Sequence, residues 1–121
     1  MEPIDPIEVQ QRLDKLKNQE VYLHLEQTTG AYAAHFGSPV HPATVFITNG
    51  KIRYTRGAIA GEGPFRVGLK MDEGWVYADG LTHYEPDEED RLILAGHDSQ
   101  GKLVVALQLS REPFPSQRRD K

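Results

Sequence analysis

Apolar and polar residues alternate with a period of two along most of this chain, and a helical spacing occurs once, near the start. Val9, Leu13 and Leu16 recur at i, i+4 and i+7, one apolar stripe of a helix spanning about residues 6–18. Asp5 suits the N-cap and Pro6 the first helical position, and Glu8 completes an Asp-x-x-Glu capping box. The stripe is narrow, so the helix should lie on a sheet or plug one end of a barrel.

The rest reads as short strands. Val21, Leu23 and Leu25 point one way, and Tyr22, His24 and Glu26 the other. After Thr28-Thr29-Gly30 a second strand, Ala31 to Phe36, should pair with the first. The stretch Thr44 to Thr55 reads as a hairpin, because Asn49-Gly50 accepts a type I′ turn. That turn would set Ile47 against Ile52 and Val45 against Tyr54, and leave Phe46 opposite Arg53 on the wetter face. Phe65, Val67, Leu69 and Met71 alternate with Arg66, Gly68 and Lys70. A three-residue loop at Asp72-Glu73-Gly74 would put Trp75 opposite Met71 and Tyr77 opposite Leu69, on the apolar face. Asp79-Gly80 fits either a turn or a bulge in one strand from Trp75 to Tyr84. Leu92 to Ala95 and Lys102 to Ser110 form the last pair. The total is one N-terminal α-helix and about eight or nine strands. Glycines at the bends favour an antiparallel β-barrel-like domain.

Length and composition narrow the class. A chain of 121 residues forms a single domain, residues 1–121, with a loose tail at about 115–121. Without cysteine it has no disulfide, no zinc–thiolate site and no thiol nucleophile. No signal peptide is visible and no apolar run approaches a membrane span, so a cytoplasmic protein without membrane contact is expected. The net charge of −4 argues against a nucleic-acid partner.

Catalytic motifs are missing. There is no Gly-x-Ser-x-Gly elbow, P-loop, dinucleotide fingerprint or His-Glu-x-x-His. The acidic stretch Glu85 to Asp90 lacks the spacing of a calcium loop. Two polar groups remain. His24 and Glu26 share a strand face, and a two-residue turn would set His35 against His24, making two imidazoles and a carboxylate that could hold a metal. A three-residue loop would instead set His24 against Ala34 and Glu26 against Tyr32, and send His35 to the other face. Arg66 and Lys70 flank Gly68 on one face, where a flat glycine could admit a carboxylate or phosphate.

Three stretches, VYLHLEQTTGAYAAHF from Val21, GEGPFRVGLKMDEGWVYADGLTHY from Gly61 and RLILAGHDSQGKLVVALQLSREPF from Arg91, closely resemble the YojF family of small bacterial proteins, which has no assigned function. The resemblance implies a β-barrel-like, intracellular protein. It also implies an accessory role beside a zinc deacetylase of the LmbE type that acts on a thiol-sugar precursor, whose gene often neighbours the family's. This chain cannot be that deacetylase, since Ala95-Gly96-His97-Asp98 lacks the proline and further carboxylates of the Ala-His-Pro-Asp-Asp-Glu motif. His24, Glu26, Tyr32, His35, Arg66, Lys70 and Trp75 fit the family pattern.

The resulting expectation is a non-catalytic accessory or binding domain, without cofactor or metal, that self-associates or meets a partner protein. Its candidate ligand-binding residues are His24, Glu26, Tyr32, Arg66 and Lys70. The alternative is a small-molecule-binding or metal-dependent catalytic barrel using His24, Glu26 and His35.

Overall fold

A computed structural model describes residues 1–28 and 43–115, with only the backbone of 43 and 44. In chain order the elements are β1 (Glu2–Pro3), α1 (Pro6–Leu16), β2 (Val21–Thr28), β3 (Ala43–Ile52), β4 (Arg56–Gly61), β5 (Phe65–Met71), β6 (Gly74–Leu81), β7 (His83–Tyr84), β8 (Arg91–His97) and β9 (Leu103–Ser110). They form a six-stranded sheet, ordered β1-β7-β8-β9-β2-β3, and a three-stranded sheet, β4-β5-β6. All pairings are antiparallel.

The expected mainly β, antiparallel architecture with one helix is therefore present. Among the described residues, however, no hydrogen-bonded ladder joins the two open sheets into a barrel. The chain passes from one sheet to the other at Thr82, between β6 and β7. Its N–H donates to Ala95, and its carbonyl accepts from Ile4. The glycines expected to bend a barrel serve elsewhere. Gly80 sits in a bulge of β6, where the register with β5 slips between Phe65 and Val67. The backbone of Gly80 lies against Gly96 of β8, which leaves no room for a Cβ at Gly96. The Asp79-Gly80 alternatives thus resolve to a bulge.

One core lies between the layers. Leu23, Leu25, Leu92, Leu94, Leu107 and Leu109 of the larger sheet meet Val67, Leu69, Ala78 and Leu81 of the smaller. Helix α1 adds Val9, Leu13 and Leu16, the stripe read from its spacing. Asp5 caps it by accepting from the N–H groups of Ile7 and Glu8 at 3.1 and 3.4 Å. Glu8 does not close the capping box. Its carboxylate accepts from Arg12 at 2.8 Å and from the Tyr84 hydroxyl at 3.0 Å. Arg12 in turn donates to the carbonyls of Glu85, Pro86 and Glu88, tying the acidic loop to the helix. Gln10 bridges to β4, donating to Gly57 at 2.8 Å and accepting from Ile59 at 3.1 Å. No described helix is long and apolar enough to cross a membrane.

The Asn49-Gly50 hairpin does not form. β3 runs straight through both residues and pairs along its length with β2: Val21 with Ile52, Leu23 with Gly50, Leu25 with Ile47 and Glu26 with Phe46. The register slips between Leu23 and Leu25, so Asn49, with φ 54°, is the extra residue of a bulge. A left-handed Asn followed by Gly serves a tight turn and a bulge equally. Tertiary pairing chose the bulge, because β2 offered a longer ladder than the hairpin could. Arg53 lies beyond the strand and donates to the Asn18 carbonyl at 2.7 Å, so it does not face Phe46.

Candidate functional site

The smaller sheet builds its outward face from a register one residue away from the expected one. Met71 pairs with Gly74, so only Asp72 and Glu73 make the turn. Trp75 therefore faces Lys70, and Tyr77 faces Gly68. A slip of one residue moves every side chain of a strand to the other face. Trp75 and Tyr77 leave the core side and join Arg66 and Lys70 on the outside. From β4 the same face receives Arg56 opposite Lys70, Ala58 opposite Gly68 and Ala60 opposite Arg66.

These residues form a column. The Arg66 guanidinium lies 5.5 Å from the centre of the Tyr77 ring. Tyr77 stacks on Trp75 with centroids 5.5 Å apart and planes 4° from parallel. The rings rest over Gly68, where a Cβ would come within 2.9 Å of Tyr77. Gly68 thus carries the rings rather than leaving a gap for an anion. Arg66 donates to Asp79 at 2.9 Å, which holds the Asp79 carboxyl below its ordinary value and raises the guanidinium. Trp75 and Tyr77 nonetheless remain 43% and 51% exposed. The face has three cations, Arg56, Arg66 and Lys70, and one carboxylate, Asp79. Glu62, Asp72 and Glu73 lie in the turns at its ends.

His24 and Glu26 sit elsewhere, on the outer face of the six-stranded sheet. Glu26 Oε1 is 3.6 Å from His24 Nε2. The imidazole meets Phe46 edge-on at 5.6 Å and Phe114 at 6.2 Å. Because the sheets pack inner face to inner face, the His24–Glu26 pair and the Arg66–Lys70 pair occupy opposite surfaces. They cannot share one ligand. Both edges of β2 are taken, by β3 and by β9, which sets His24 against Gln108. The strand expected at Ala31–Phe36 lies outside the described residues. Tyr32 and His35 lie outside the described residues. Among the described residues no group of three or more His, Asp or Glu side chains is placed to hold a metal ion.

Sequence reasoning missed Tyr77, Asp79 and Arg56 as members of the aromatic and cationic face. Counting Asp72-Glu73 as a two-residue turn would have found the first two. It also missed the pair His83 and His97, whose rings meet at 5.0 Å and 85°. Thr82 Oγ1 bonds His83 Nδ1 at 2.7 Å and accepts from the His97 N–H at 3.1 Å. These two residues approach only because β7 lies beside β8.

Two stacked antiparallel sheets, a capped helix and a solvent-facing aromatic–cation column define a small two-layer β domain. The chain belongs to the family described as "Protein of unknown function (DUF1806)", whose model matches residues 3–114. It is 47% identical over 114 residues to "Uncharacterized protein YojF" of Bacillus subtilis (strain 168), covering 94% of this chain and 98% of the relative. The crystal structure of Bacillus subtilis YojF protein is similar at a TM-score of 0.79 and 43% identity, covering 95% of this chain and 97% of that one. The resemblance read from the three sequence stretches is thereby established.

Proposed function

We propose that this protein is a non-catalytic accessory domain that binds an acidic protein partner through the outer face of its three-stranded sheet. The Arg66–Tyr77–Trp75 column carries the reading. Aromatic residues and arginine are enriched where protein interfaces are most strongly held. A half-exposed Trp stacked on a half-exposed Tyr leaves apolar area in water, and a partner would bury it. The arrangement favours a macromolecule, because small-molecule sites are concave and these rings stand half-exposed on an outer sheet face. Among the described residues Arg66 is paired with Asp79 while Arg56 and Lys70 have no ion-pair partner, which favours an acidic partner, and overall acidity disfavours nucleic acid. A deacetylase of the LmbE type is the named candidate that the family resemblance supplies. A catalytic reading at His24 and Glu26 would draw its third group, His35, from outside the described residues, and no described geometry favours it.

The test is a capture experiment from native cell extract with three baits. Wild type should retain a partner that Trp75→Ala and Lys70→Glu release, and raised salt should weaken the capture. Purified deacetylase added to the wild-type chain should then change the emission of Trp75, the single tryptophan. Equal capture by all three baits would sink the assignment of this face. Capture without a deacetylase response would remove that candidate only.

A further inference from the structure

We infer that the β3 edge of the six-stranded sheet pairs antiparallel with the β3 edge of a second copy of this chain, giving a two-fold symmetric dimer with one continuous sheet. Among the described residues, the four sheet edges differ in how they are protected. β1 has two residues and contains Pro3. β4 is bridged by Gln10 of the helix. β6 carries Asp79 and the Gly80 bulge. β3 is ten residues long, and its first eight, ATVFITNG, carry no charge and no proline. A strand edge presents unpaired N–H and C=O groups, and charge, proline, brevity or a cover normally blocks it. The register with β2 slips at Thr44 and again at Asn49, and residues 45–48 between them are regular.

The exposed side chains decide the occupant. Val45, Phe46 and Ile47 are 36%, 60% and 38% exposed. Successive strand residues point to opposite faces, with Phe46 on the outer side and Val45 and Ile47 on the inner. A ligand on either face would cover one set and leave the other wet. Only a strand in the plane of the sheet covers both. A second β3 fits because the segment is uncharged, so two copies do not repel, and because an isologous contact closes on itself. A two-fold axis at Phe46 sets it against Phe46 of the second copy, and Val45 against Ile47 of the second copy, apolar against apolar on both faces. This inference does not depend on the Trp75 face, which lies on the other sheet.

Sedimentation equilibrium of the full chain at micromolar concentration should give twice the 13.6 kDa chain mass. Phe46→Lys should return it to one chain mass with an unchanged far-ultraviolet circular dichroism spectrum, whereas Trp75→Ala should leave the dimer intact. The chain has no cysteine, so Phe46→Cys supplies a single thiol close to the axis. Residues facing each other across an antiparallel pair have Cα atoms about 4.5–5.5 Å apart, within disulfide reach. Oxidation should convert most of this variant to a covalent dimer, and Tyr77→Cys should not cross-link. A wild-type monomer overturns the inference, and so does a dimer that Phe46→Lys leaves whole. A monomer whose β3 amides resist hydrogen exchange would assign the edge to a segment of the same chain.

Discussion

The side-chain amide of Asn49 pairs with the backbone of Phe114 as a neighbouring strand would. Its Oδ1 accepts from the Phe114 N–H at 2.7 Å, and its Nδ2 donates to the Phe114 carbonyl at 3.1 Å. The bulge in β3 makes this possible, because the left-handed backbone at Asn49 takes its side chain out of the ladder. Phe114 is thereby held beside His24. Replacing Asn49 by Ala removes both bonds and places a less tolerant residue at φ 54°. The expected cost is about 1–3 kcal/mol. Asn49→Gly keeps the backbone and loses only the bonds, so it should cost less. In both variants the Phe114 amide should exchange faster with deuterium, and unchanged exchange would refute the pairing role.

Gly96 is a position where the layers touch backbone to backbone. A methyl group there would meet the Gly80 carbonyl oxygen and the Val105 side chain. Backbone cannot rotate away as a side chain can. Gly96→Ala should therefore destabilise by about 1–3 kcal/mol or more, read as a lower urea midpoint. An unchanged midpoint would mean that the sheets separate more freely than this packing implies.

Arg12 holds the 85–88 loop by its main chain rather than by its many carboxylates. The guanidinium donates to three carbonyls and to Glu8, and its side chain is 14% exposed. Arg12→Leu keeps some packing but leaves those carbonyls unpaired, with an expected loss of about 1–3 kcal/mol. Protease cleavage should shift to the 85–90 segment. Lys at this position should rescue only part, since an ammonium lacks the planar fork.

Alkaline pH should unfold the protein through its buried tyrosines. Burial, then the Glu8 hydrogen bond and charge, push Tyr84 up to about 12 from the ordinary 10.0. Burial, aided by Asp14, also raises Tyr54, whose hydroxyl donates to the Leu13 carbonyl at 2.7 Å. These phenols stay protonated in the fold while the unfolded chain begins to ionise near 10. Their contribution is complete below that pH and is lost as the pH rises through the folded values. Tyr54 and Tyr84 should therefore titrate late, together with loss of the circular dichroism signal. Titration of Tyr54 and Tyr84 near pH 10 in the folded protein would contradict the burial.

Much of the architecture was legible because it is local. The Asp5 cap and the Val9–Leu13–Leu16 stripe made the helix readable. Alternation in β2 and β5 showed which residues face inward, and Leu23, Leu25, Val67 and Leu69 are buried. The errors occurred where one residue of register decides a face. Asp72-Glu73-Gly74 and Asn49-Gly50 each fit two geometries, and only the pairing partner chooses between them. The candidate site was legible as separate residues, Arg66, Lys70 and Trp75 among them, but not as one surface.

What the sequence determined by itself was composition, the helix, the inward-facing combs and family membership. These depend on spacing within a single element. The tertiary structure alone decided that no ladder joins the two sheets among the described residues, that β2 pairs with β3 and β9, and that Trp75 and Tyr77 face solvent beside Arg66. Each of those outcomes is a competition among strands for the same backbone hydrogen bonds. Alternation states which residues share a face, and only the neighbouring strand states which way that face looks.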